Sequence, residues 1–195
     1  MDKLDDEDFP YDSFVKIFQE PDQGNLCIPL CIKMVLETMR QKVEGIPTLS
    51  IDKISQIIET QSDGTPLGDN IEKINDRLKS TRPSMKFYID YYVSWKSICD
   101  DVNQEDPFKK PVIMGIYQYD IKQLNYFPHG VVLLRADNAN VTFFDPIYGE
   151  MFEPTPKFYN QWEQMERTCI RLKIVPLAQR ILEEFPLENG GVEVG

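Results

Sequence analysis

From Leu26 onward the chain reads CIPLCIKMVLETMRQK, and Ile28, Ile32, Val35, Leu36 and Met39 recur there at helical spacing. Asn25 offers an N-cap, and Pro29 is tolerated only in a first turn, so this pattern predicts a helix beginning near Cys27. SIDKISQIIETQ, capped by Ser50, predicts a second helix, and NIEKINDRLKS after DGTPLGD predicts a third. MKFYIDYYV is rich in aromatic and β-branched residues and predicts a strand. SWKSICDDV predicts a short helix capped by Ser94, and PVIMGIYQY a buried strand. HGVVLLR and VTFFDP, joined by a turn at ADNAN, predict a hairpin. PTPKFYNQWEQM reads as a capped helix or turn, and TCIRLKIVPL as a last strand. Before all of these, the weakly alternating FVKIF at 14–18 predicts a short strand, followed by the loop QEPDQGN.

Helices come first and mostly strands follow. That segregation predicts an α+β class, with N-terminal helices packed against a C-terminal antiparallel sheet. The expected organisation is an acidic lead-in at 1–13, one domain at 14–177 and a tail at 178–195. At 195 residues, one such domain buries enough surface to fold without staples.

Composition narrows the function. The formal charge is −11, and an acidic surface repels phosphate backbones, so a nucleic-acid partner is not expected. Nor is docking on anionic lipid. The start, MDKLDDEDFP, lacks the apolar stretch of a secretory signal, and no apolar run has the length of a membrane span. A cytoplasmic protein with no membrane span is the expectation. Cys27, Cys31, Cys99 and Cys169 form no CxxC pair, and His129 is the single histidine. This stock is poor for zinc, so neither metal nor cofactor is expected, and the cysteines read as free thiols.

The chemistry centres on three residues. His129 opens one strand of the predicted hairpin and Asp145 closes the other. With the turn centred on Asp137, Leu133 opposes Val141, Val131 opposes Phe143 and His129 opposes Asp145. Directly opposed side chains have Cβ atoms ~4.5–5.5 Å apart, within reach for a carboxylate to orient an imidazole. Cys27 sits at a predicted helix N-terminus, where the partial positive charge and free amides favour thiolate. Cys31 lies one turn further along and lacks that advantage, while Cys99 and Cys169 sit in apolar patterns and read as core. An acyl-transfer site also needs an oxyanion donor, and Gln19 and Gln23 both precede Cys27.

Taken in order, these pieces resemble the bacteriocin-processing, double-glycine-leader peptidases and their stand-alone relatives in the papain-like superfamily. The resemblance rests on Gln19, CIPLCIKMVL from Cys27, HGVV from His129 and the Asp145-Pro146 pair, and on the interval between His129 and Asp145. GTPLGDNIEKI at 64–74, KKPVIMGI at 109–116 and KFYNQW at 157–162 extend it over about residues 13–175. It implies a papain-like cysteine peptidase fold. It also implies a cysteine peptidase, or a related amidase or acyltransferase, working on a peptide or protein substrate. Cys27 would be the nucleophile, His129 the base and later acid, Asp145 its orienter and Gln19 the oxyanion donor.

Two departures from that family stand out. Glycine usually follows the cysteine, and here Ile28 does; a branched side chain there would narrow the cleft. Gln19 precedes Cys27 by more residues than usual, which keeps Gln23 as a rival. These departures motivate the alternative of a catalytically inactive papain-like module that binds peptides or a protein partner. Gly190-Gly191 is the kind of site the family cuts, but Glu188, Phe185 and Arg180 do not reproduce its apolar leader pattern, so the end reads as a flexible glycine tail.

Overall fold

The computed structural model describes residues 14–20, 25–41, 43–62, 64–65, 68–104, 110–120 and 125–175. The predicted lead-in and tail, Gly190-Gly191 and Gln23 all lie outside the described residues. Among the described residues, four α-helices run Cys27–Arg40 (α1), Ile51–Ile57 (α2), Trp95–Val102 (α3) and Thr155–Glu163 (α4), with a 3-10 helix at Asp69–Arg77. Among the same residues, six strands run Ser84–Asp90 (β1), Val112–Asp120 (β2), Asn125–Ala136 (β3), Asn140–Asp145 (β4), Gly149–Pro154 (β5) and Cys169–Val175 (β6). They form one antiparallel sheet in the order β1-β6-β2-β3-β4-β5.

Both faces of the central strands are covered, and the sequence shows why. Along β2 and β3 the apolar residues are continuous rather than alternating. Val132 and Leu134 face one way, into a core with Ile113, Phe144, Ile170 and the apolar side of α1. Val131 and Leu133 face the other way, into a core with Met114, Phe143, Phe158 and Trp162. α1 thus packs on one face, and α3 and α4 on the other. The five residues that predicted α1 are all buried, and so are Leu30, Cys31 and Met34. Ser50 and Ser94 cap α2 and α3, each accepting a hydrogen bond from a first-turn amide, that of Lys53 and of Ser97.

Several expectations need correction. FVKIF is not a strand. Phe14 is buried against Phe144, but the Val15 N–H goes to Thr38 Oγ1 and the Gln19 N–H to the Pro146 carbonyl, so no ladder forms. The third predicted helix is 3-10 rather than α. Leu26, not Asn25, is the N-cap of α1, and no side chain caps it; Asn25 Nδ2 donates instead to the Ser62 carbonyl. β5 carries no prediction at all, being an edge strand whose Phe152 is exposed.

The hairpin register also differs. Val132 pairs with Phe144, Leu133 with Phe143 and Ala136 with Val141, with a shift between Leu133 and Arg135. The turn therefore lies beyond Asp137, whose Oδ1 accepts from the Ala139 and Asn140 amides. Carried past Val132 and Phe144, this register sets Val131, not His129, against Asp145. A two-residue shift preserves the face, so His129 and Asp145 remain on the same side as diagonal neighbours.

Candidate active site

The site forms where the β3–β4 ladder ends. Among the described residues the last β3–β4 pair is Val132–Phe144, and Gly130 has no β4 partner there. The gap is filled by the N-terminal turn of α1. The Gly130 carbonyl accepts from Cys31 Sγ at 3.5 Å, and its N–H is directed at the Cys27 sulfur. The helix tip is thereby seated beside His129 by the backbone of the adjacent residue.

Cys27 is half-buried, and His129 and Asp145 are buried, with 4% and 0% of their surface exposed. His129 Nε2 lies 3.0 Å from Asp145 Oδ1. That leaves Nδ1 as the ring nitrogen for the thiol, and Cys27 is within side-chain hydrogen-bonding reach of the imidazole. Asp145 Oδ1 also accepts from the Ile147 amide at 2.7 Å and the Tyr148 amide at 3.2 Å. The carboxylate is thus fixed by its own turn before it orients the imidazole.

The electrostatics follow from these contacts. Burial raises the Cys27 thiol, but the His129 hydrogen bond and charge and the Gly130 and Ile28 amides outweigh it, and the pKa lies below its ordinary 9.0. Burial pushes His129 down, but the bonds to Asp145 and Cys27 prevail and raise it to about 9. Asp145 is raised by burial and lowered more by His129 and the two turn amides. The pair therefore favours thiolate and imidazolium. The other thiols go the opposite way. Burial raises Cys31 well above 9.0, raises Cys99, and pushes Cys169 up to about 12.

Cys27, His129 and Gln19 share the lining of one open cleft of about 680 Å³. No side chain caps the first turn of α1; Pro29 has no N–H to offer there, and the Ile28 amide is directed at the Cys27 sulfur. Phe127 packs beside the imidazole with ring centroids 5.4 Å apart, a neighbour the sequence reading missed. Gly130 was missed as well, although its place directly after His129 was the available signal. Ile28 is among the residues lining the cleft beside Cys27. It is 3% exposed and belongs to the core on the α1 face. Among the described residues there is no group of three or more His, Cys, Asp or Glu suited to a metal ion. None of their helices is long and apolar enough to cross a membrane.

No family model matches this sequence, and a search of curated proteins finds no match. Solved structures do match. The peptidase domain of Streptococcus ComA, a bi-functional ABC transporter involved in quorum sensing, aligns with a TM-score of 0.54 at 15% identity, covering 83% of this chain and 98% of that one. A double glycine motif protease from an AMS/PCAT transporter, in complex with its leader peptide, gives 0.55 at 16%, covering 83% and 91%. A protein of Bacillus anthracis described as a C39-like peptidase gives 0.56 at 17%, covering 84% and 96%. The chain has the papain-like fold of C39-like peptidase domains.

Proposed function

We propose that this protein is a cysteine peptidase, or a closely related thiol amidase or acyltransferase, in which Cys27, His129 and Asp145 act as a catalytic triad. The observation that carries this reading is the continuous contact from Asp145 Oδ1 through His129 to a half-buried Cys27 at the wall of an open cleft. The fold likeness to peptidase domains agrees with it, and so does the leader peptide bound to one of those proteins. A proposed domain spanning 14–177 contains every residue of the site.

In the proposed mechanism the Cys27 thiolate attacks an amide carbonyl. The carbonyl oxygen becomes an oxyanion held by the Cys27 N–H and by Gln19. The His129 imidazolium gives its proton to the departing amine, leaving a thioester on Cys27. Neutral His129 then takes a proton from water, whose oxygen attacks the thioester, and the acid product leaves. Asp145 holds the ring tautomer through both half-reactions.

The alternative of a non-catalytic module that binds peptides or a protein partner drew on Ile28 and on the long interval from Gln19 to Cys27. Ile28 is packed against Gly130 in the core, which supports an accessible sulfur, and the glutamine interval is left as the motive for that alternative. Incubation with a peptide digest of a denatured protein, read by mass spectrometry, tests the enzyme. New peptide termini are expected with the wild type and none with Cys27→Ala. Peptides that survive intact with the wild type would leave the binding module as the better account.

A further inference from the structure

Glu166, an exposed residue just after α4, is among those lining the cleft. We propose that Glu166 makes this cleft select a positively charged group in its peptide ligand, beside the bond presented to Cys27. This rests on the peptide-binding reading of the site. Apart from the Cys27–His129 pair, Glu166 is the sole charged side chain among the described residues lining the cleft. Its carboxylate makes no ion pair and accepts no hydrogen bond from the described residues, so it is available to a ligand. The adjacent cation, Arg167, is placed over the Tyr92 ring, 5.9 Å from the centroid.

The backbone at Glu166 is unusual. Glu166 and Arg167 follow the end of α4 with φ of 54° and 52°, and Tyr92 on the facing loop has φ of 55°. The Tyr92 amide donates to the Glu166 carbonyl at 3.1 Å, tying the two loops together. Glycine occupies this left-handed region without steric cost, yet the chain places an acid there. The local arrangement is fixed from both sides: the Glu166 N–H reaches the Glu163 carbonyl and the Arg167 N–H the Trp162 carbonyl. The whole chain, at −11, adds a field of the same sign. The recognised cation can be a Lys or Arg side chain or a free peptide N-terminus, since all present an N–H-bearing positive charge to a carboxylate.

Cys27→Ala protein, which binds without turnover, separates these sources. The probes are octapeptides of alanine and glycine, N-acetylated and C-amidated, with one lysine scanned through the positions. Norleucine replaces that lysine in a matched set, and a third set leaves the N-terminus free. Binding is read by calorimetry at low salt. Lysine at one position, or the free terminus, is expected to bind about two- to fivefold tighter than its neutral match, as for an exposed ion pair. Added Glu166→Gln is expected to remove the preference, and Glu166→Lys to transfer it to a glutamate-containing peptide. No preference for a cation at any position, or one that survives Glu166→Gln, overturns the proposal. Thermal melts of each variant verify folding. Hydrolysis of the same peptides by the wild type is scored separately. Cleavage without a Glu166-dependent preference sinks this inference alone, whereas the preference without cleavage sinks the peptidase reading and leaves the subsite standing.

Discussion

A Cβ placed on Gly130 would lie 2.4 Å from Cδ1 of Ile28. The residue after the proposed nucleophile and the residue after the proposed base are therefore matched: a branched side chain fits at 28 because residue 130 has none. Ile28 then covers the strand and sits in the core, while its neighbour Cys27 remains at the cleft.

This match is testable as a coupling. Gly130→Ala is expected to destabilise the protein by about 1–3 kcal/mol through overpacking. In an Ile28→Val background, which removes Cδ1, the same substitution should cost about 1 kcal/mol less. Urea unfolding of the four proteins in the cycle measures both quantities. Equal costs in the two backgrounds would show that the two residues are not matched.

Asp145 should matter in two separable ways. Its Oδ1 is fixed by the Ile147 and Tyr148 amides, so Asn at 145 can keep an acceptor at Nε2 while losing the charge. Asp145→Ala loses both, and a fall in kcat/KM of about a hundredfold or more is expected. Asp145→Asn should retain more activity than Asp145→Ala. The sign of the pH effect is fixed. With His129 raised to about 9, wild-type activity should decline as pH rises through that value and the imidazolium is lost. Removing the carboxylate charge lowers the His129 pKa, so the alkaline limb of Asp145→Asn should move to lower pH. An unchanged limb would mean that Asp145 does not set the charge state of His129.

Gln19 is proposed to act only when an oxyanion develops. Gln19→Ala should lower kcat about 10²–10³-fold with little change in KM. It should leave the rate of Cys27 alkylation unchanged, because alkylation forms no oxyanion. Slower alkylation in this variant would point to a structural role at the helix tip instead.

Much of the site was legible because it rests on short-range rules. The period of Ile28, Ile32, Val35, Leu36 and Met39 located α1, and Pro29 marked its first turn. The continuous apolar runs of β2 and β3 reported strands buried on both faces. His129 and Asp145 were paired by a register that was wrong by two residues. Their contact survives because a shift of two keeps both on one face, and because the Asp145 turn amides place its carboxylate independently of the ladder. The rest depends on long-range packing. Nothing local in FVKIF tells that Thr38 will take the Val15 N–H, and Pro146 that of the following Gln19, in place of a strand. Nothing in GEMFEP tells that β4 has a free edge to accept it. The docking of Cys27 and Cys31 on Gly130 joins residues about a hundred positions apart, and no sequence period encodes it.

The account turns on an activated thiol at residue 27, and selective alkylation measures that directly. Iodoacetamide labelling, mapped by peptide mass spectrometry between pH 5 and pH 10, gives a rate for each of the four cysteines. Cys27, lowered from 9.0, should label first by a wide margin near neutral pH, while Cys31, Cys99 and Cys169, all raised, lag behind. His129→Ala should remove that lead by shifting the Cys27 profile to higher pH. Labelling of Cys27 that is no faster than that of the other three, or that ignores loss of His129, would contradict the account.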